Sequence, residues 1–257
     1  MKFQSFINPK ELPDDTPIYK YMSTDIFLSF LLTQNLIFQC IPKWKDHLEG
    51  TLFDFAKQVK TKWSDFNKCD YFGSCWSLQD YPSGLLGSET ERIEANKELA
   101  EHGSAAMWES YCWNGGVRIK TTIGKIKIRL TEVQSWHGAV QYKPLSSLLT
   151  GMVIRPEFLF FYKGVGYIHE NEYRFVVKPK RKTTALFPIN FSDVSELLDE
   201  ILVYPTTKND DWKSRALWDL ILRENIPGKI DGLSNNKNGK QFCRMSNLYD
   251  KKSHELR

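Results

Sequence analysis

Long apolar runs are missing from this chain of 257 residues. The longest, around Phe27–Leu32 and Phe158–Tyr162, fall far short of the roughly 20 residues a membrane-crossing helix requires, so no span is predicted. A secretory leader is missing as well. Met1-Lys2-Phe3-Gln4-Ser5-Phe6 runs into Pro9, Glu11, Asp14 and Asp15 before an apolar core can develop, which makes a cytoplasmic location the expectation. Cysteine is scarce and unpatterned: Cys40, Cys69, Cys75, Cys112 and Cys243 are odd in number, scattered, and form no C-x-x-C pair. Reduced thiols fit that pattern better than a disulfide framework. The five histidines offer no pair at helical i, i+4 spacing, and no structural metal is predicted. Motifs of the large nucleotide-dependent, metalloprotease and serine-hydrolase classes (G-x-G-x-x-G, a Walker loop, H-E-x-x-H, G-x-S-x-G) are absent too. Ser110, Cys112 and His137 have no spacing that supports a nucleophile set.

What is present is an ordinary globular composition, with 41% hydrophobic and 26% charged residues. Net charge is +4 and the sequence pI about 8.6, a balance that permits contact with nucleic acid without demanding it. The residues predict strands at Ile18–Met22, Leu36–Cys40, Tyr71–Ser77, Val117–Thr121, Gly138–Tyr142, Gly166–Val177 and Ile201–Tyr204. Helices are expected where Ile26, Phe27, Phe30 and Leu31 recur, from Leu52 to Val59, from Glu89 to His102, over Ala105–Tyr111, and from Asp211 to Glu224. Strands outnumber helices and do not alternate with them, so the fold class expected is α+β, over a single domain spanning 1–257.

Charge inside one of these strands needs a reason. His169-Glu170-Asn171-Glu172-Tyr173-Arg174-Phe175-Val176-Val177 puts Glu170, Glu172 and Arg174 at alternate positions, hence on one face of an extended chain. That face is an exposed charge ladder, a structural network or the wall of a cleft. The run Lys178-Pro179-Lys180-Arg181-Lys182 follows directly and is placed either to meet phosphates or to form a solvated loop.

Four segments taken in order resemble a bacterial family known as a domain of unknown function: Ile18-Tyr19-Lys20-Tyr21, Trp44-Lys45-Asp46-His47-Leu48-Glu49-Gly50, Ala106-Met107-Trp108-Glu109-Ser110-Tyr111 with Gly116, and Lys163 with Glu170-x-Glu172-Tyr173-Arg174. The same order more distantly resembles the ADP-ribosyltransferase toxins. That resemblance implies a mixed, largely antiparallel split sheet with flanking helices and an NAD substrate. Glu172 would be the central catalytic carboxylate and Glu170 the base for the incoming nucleophile. Tyr19, Lys20, Tyr21, Ser77, Tyr111 and Arg174 would contact NAD, although Lys20 stands where the family has His or Arg and Ser77 is outside any Ser-Thr-Ser pattern.

Cleavage of nicotinamide from ribose develops oxocarbenium-like charge, which a nearby carboxylate stabilises. At about 4 Å and an effective dielectric near 20, that attraction is worth roughly 4 kcal/mol, or about three orders of magnitude in rate. The acceptor expected is nucleic acid, RNA in preference to DNA, met by Lys180, Arg181 and Lys182, and an enzyme of this kind implies an antitoxin partner in a bacterial defence setting. Two other readings stay open. One is a metal-independent ribonuclease working with His169, Glu170, Glu172 and Arg174; the other is a non-catalytic protein-binding module presenting the same face.

Overall fold

The structure, a computed structural model, describes residues 5–6, 9–44, 67–79, 88–144, 152–153, 156–181, 185–204, 216–217, 219–221 and 243–245. The segment predicted helical from Leu52 to Val59, the residues Lys45–Gly50 and Lys182 lie outside that set. The chain resolves into two compact units, each assembled from three segments. The first comprises Met1–Thr16, Leu36–Ser77 and Ile126–Asn190, and the second Pro17–Asn35, Leu78–Lys125 and Phe191–Arg257. Taken together the described elements are mixed α+β, with largely antiparallel strands. No described helix is long and apolar enough to cross a membrane.

In the first unit, β10 (Glu172–Lys178) lies between β4 (Phe72–Ser77) and β6 (Gln134–Ala139), antiparallel to both. Strand β4 pairs with β3 (Asn35–Cys40), and β3 with β11 (Leu186–Asn190). Two short parallel pairs complete the unit: β1 (Ser5–Phe6) with β8 (Met152–Val153), and β7 (Gln141–Lys143) with β9 (Tyr162–Gly164). A strand with neighbours on both sides is covered along both edges, which is why β10 is buried from Glu172 to Val177. Through Val176 it joins an apolar cluster of Ile41, Tyr71 and the run Leu159–Tyr162, with Trp44 and Trp136 packed against it.

Two predicted strands are corrected here. The strand expected over Gly166–Val177 starts at Glu172, because Val165–Glu170 winds into a 3-10 helix and Asn171 adopts a left-handed φ of 41°. Asn is among the few residues that tolerate this geometry, and an extended strand cannot pass through it. Glu170 therefore belongs to a turn. The strand expected over Gly138–Tyr142 is divided at Val140, β6 ending at Ala139 and β7 beginning at Gln141.

The second unit carries β2 (Pro17–Ser23), β5 (Gly116–Thr122) and β12 (Glu200–Val203) in antiparallel order, with β13 (Cys243–Met245) parallel to β12. Helix α1 (Thr24–Thr33) follows β2 with Asp25 in its first turn, where a carboxylate complements the helix dipole, and ends at Gln34 with φ 55°. Helix α2 (Glu89–His102) opens on Ser88 as N-cap: its hydroxyl oxygen accepts from the Glu91 N–H and its hydroxyl donates to the Glu91 carboxylate. Helix α3 (Ala105–Cys112) stops before Gly115, whose φ of 90° favours glycine. Of the helix expected from Asp211 to Glu224, residues 216–217 and 219–221 are described, and they are helical.

Val117-Arg118-Ile119-Lys120-Thr121 alternates apolar and polar residues as a half-exposed strand does, yet Arg118 on β5 is completely buried. Its guanidinium donates to Leu99 O (2.7 Å) and Ala100 O (2.8 Å) at the end of α2 and to Glu200 on β12 (2.8 Å). A cation there meets the negative end of the α2 dipole as well as a carboxylate, which offsets its desolvation.

Candidate active site

Of the residues singled out in the sequence, Glu170, Glu172, Arg174 and Ser77 come together in the first unit. An exposed charge ladder is excluded: Glu170 is 6% exposed, Glu172 4% and Arg174 1%. Register explains the position of Ser77, which pairs directly with Glu172 across β4 and β10. The Ser77 hydroxyl donates to the backbone carbonyl of Glu170 (2.9 Å), tying the 3-10 turn to the sheet.

Around the carboxylates stand two cations. Both Nε and Nη2 of Arg174 reach Glu172 Oε2, while Nη1 donates to the Phe160 carbonyl (2.6 Å). The guanidinium also lies 4.7 Å from the centroid of the Trp44 ring. Lys163 on β9 donates to Glu170 Oε2 (2.7 Å) and Glu172 Oε1 (3.2 Å), with its ammonium 4.4 Å from the centroid of the Tyr167 ring. The Glu172 N–H donates to the Tyr142 hydroxyl (2.8 Å), and the register of β7 with β9 sets Tyr142 directly opposite Lys163.

Environment separates the two acids. Burial and the hydrogen-bonded Glu172 carboxylate push Glu170 up to about 8, against the pull of Lys163. Glu172 is held well below the usual carboxylate range: Arg174, the hydrogen bond from Glu170 and Lys163 together outweigh its burial. Of the two adjacent carboxyl groups, Glu170 is thus the one that holds a proton more readily and Glu172 the one that stays ionised. Burial raises the Tyr142 phenol, as does the negative charge of Glu172.

The remaining candidates have different surroundings. In the second unit Tyr19 is buried with the Arg118 guanidinium 4.8 Å from its ring centroid. Lys20 is half-buried on β2, in register with Ile119. Tyr21 is buried edge-on against Trp108 at 4.8 Å, and its hydroxyl accepts from the Ser104 N–H (2.8 Å). Tyr111, 37% exposed, lines a cavity of about 630 Å³ together with Asp25, Leu28, Trp113 and Leu217. In the first unit Lys180 and Arg181 are exposed after β10. Burial pushes the Cys112 thiol up to about 12, which leaves it inert at neutral pH. Among the described residues no group of His, Cys, Asp and Glu is arranged to hold a metal ion.

Sequence reasoning gave no role to Lys163, Tyr142 or Trp44. A signal for Lys163 was present: two carboxylates and one guanidinium on a strand destined for burial leave a negative charge unmatched. The nearest lysine before Glu170 supplies the match. The Trp44 ring and the Tyr142 hydroxyl arrive from separate loops and strands, which no spacing rule encodes. Compared with known proteins, the chain matches no family model, no curated protein and no solved structure.

Proposed function

We propose that this protein is an NAD-dependent ADP-ribosyltransferase with Glu172 as its central carboxylate and Glu170 as its general base. The observation that carries the reading is a pair of buried carboxyl groups bridged by the Lys163 ammonium, one of them gripped by Arg174, at the head of β10. An anion whose charge survives burial stabilises the positive charge that develops on ribose as the C1′–N bond to nicotinamide breaks and nicotinamide leaves with the bonding electrons. A second carboxyl group that titrates near the working pH is suited to accept the proton of the nucleophile as its new bond to C1′ forms. Ser77, in register with Glu172 and bonded to the Glu170 backbone, fixes the turn that carries the base.

The acceptor in this reading is RNA, drawn by the exposed Lys180 and Arg181 beside the strand, and the activity calls for an inhibitory protein partner in the producing cell. Purified protein incubated with NAD labelled in its ADP-ribose moiety and with total RNA, DNA or protein tests it. Label transferred to RNA, with nicotinamide released, is the expected result. No transfer to any acceptor and no nicotinamide release overturns the reading; cleavage of RNA without NAD replaces it with a ribonuclease.

A further inference from the structure

The two carboxylates are treated unequally by the cations around them. Arg174 grips Glu172 from its own strand, whereas Lys163 comes from β9 and divides its ammonium between Glu170 and Glu172. Its side chain is 5% exposed, so it is enclosed with the acids it bridges. Strand pairing fixes its origin: Lys163 stands opposite Tyr142, the same tyrosine that receives the Glu172 N–H. The groups facing this ammonium are Glu170 and Tyr167 from the 3-10 turn, Glu172 and Arg174 from β10, and Tyr142 from β7.

We infer that Lys163 is a positioning residue for the transferase centre: Arg174 holds Glu172 as the fixed anion, and Lys163 keeps Glu170 as the group that gives and takes the proton. This rests on the reading of the centre proposed above. The argument is one of geometry and charge. A lone carboxylate pair in contact is symmetric in chemistry, and either member can hold the shared proton. A cation bonded to both lowers both, and it is the second cation on Glu172 that breaks the tie. Without the ammonium of Lys163, Glu172 keeps Arg174 while Glu170 loses the cation that makes its ionised form attainable near neutral pH. The base then retains its proton over the pH range in which it must accept one. Lys163 touches neither the ribose nor the nucleophile in this account and acts through the two acids.

The test uses the full chain carrying Lys163→Gln or Lys163→Arg, with two readouts. The first is a titration of the Glu170 carboxyl by carbon NMR or infrared difference spectroscopy, the signal being assigned by its loss in Glu170→Gln. The second is the pH profile of nicotinamide release and of transfer. Removal of a cation at this distance is expected to raise the Glu170 titration by roughly 1–3 pH units in Lys163→Gln. The rising limb of transfer should move by the same amount, with kcat falling and KM for NAD unchanged; Lys163→Arg, which keeps the charge, should restore both. A Glu170 titration in Lys163→Gln that coincides with wild type overturns the inference. Should the Gln variant not fold, the nitrogen NMR signal of the Lys163 ammonium in the wild-type protein decides. An inflection at the pH where Glu170 titrates supports the assignment, and a flat response overturns it. Failure of the transferase reading is distinguishable: a protein that never turns over NAD still reports the Glu170 shift, which then stands without that reaction.

Discussion

Glu170 and Glu172 share the ammonium of Lys163, although one ends a 3-10 turn, the other begins a strand, and left-handed Asn171 separates them. A continuous strand would also have placed both on one face, but as neighbours along the chain direction. The turn folds the first acid back over the second, and that contact sets their protonation apart.

Stability should therefore depend on pH in a way that names each acid. The folded value of Glu170 lies above its ordinary 4.5, so the stability it contributes is complete below that pH and is lost as pH climbs through about 8. Glu172 acts in the opposite sense: its contribution is present above its ordinary 4.5 and is lost as pH falls further. Urea denaturation between pH 5 and 9 should show unfolding free energy declining by at most ~1.4 kcal/mol per pH unit on account of Glu170. Glu170→Gln, which mimics the protonated acid, should remove that decline. Parallel curves for the two proteins would contradict the assignment.

Glu172→Gln removes the one anion that Arg174 and Lys163 both bind. A buried ion pair broken on one side costs about 3–5 kcal/mol, far above the range for an exposed pair. The expected outcome is a variant destabilised by that amount in chemical denaturation at pH 7, with Glu170→Gln at least as stable as wild type. A loss under about 1 kcal/mol would show that Glu172 is not buried between two cations in solution.

Gly73 sits where the Trp44 ring passes over the sheet toward Arg174. A methyl group at this position would overlap Trp44 Cζ2 and lie 3.4 Å from the Phe175 carbonyl oxygen. Gly73→Ala should move the Trp44 ring off the guanidinium, cost about 1–3 kcal/mol as overpacking does, and change the tryptophan fluorescence. Combining Trp44→Phe with Gly73→Ala should recover part of the loss, because the smaller ring leaves room for the methyl. Equal stability of wild type and Gly73→Ala would contradict this packing.

In the second unit, Arg118→Met should be among the most damaging single changes. It takes donors away from the last turn of α2 and leaves Glu200 without its guanidinium, at a cost of about 3 kcal/mol or more. Arg118→Lys should recover little, since one ammonium cannot reproduce the fork that meets two carbonyls and a carboxylate. Thermal unfolding of both variants checks this, and a shift of Arg118→Met within about 1 °C of wild type contradicts it.

Local pattern carried much of the fold. The β-tolerant run Ile18–Met22, the run Leu36–Cys40 and the helical recurrence of Ile26, Phe27, Phe30 and Leu31 all correspond to elements that form where those residues place them. Each depends on neighbours within a turn or on a simple period. The limits of β10 were not legible, because a charged residue beside an Asn reads equally as strand or turn until the partner strands are known. The candidate site was half legible for the same reason. Glu170, Glu172 and Arg174 are close in sequence and their alternation drew attention, while the cation that divides the proton between the acids arrives from β9. Burial of Arg118 was missed because its compensation by Leu99, Ala100 and Glu200 is tertiary.

The most direct test of the carboxylate pair is the ratio of ADP-ribose transfer to nicotinamide release in Glu170→Gln, measured at pH 7 with labelled NAD and RNA beside Glu172→Gln. Loss of the base should cut transfer by about 10²–10⁴-fold while nicotinamide release stays within about tenfold of wild type, and Glu172→Gln should lose both. Transfer at the wild-type rate in Glu170→Gln, or nicotinamide release untouched in Glu172→Gln, would contradict the account.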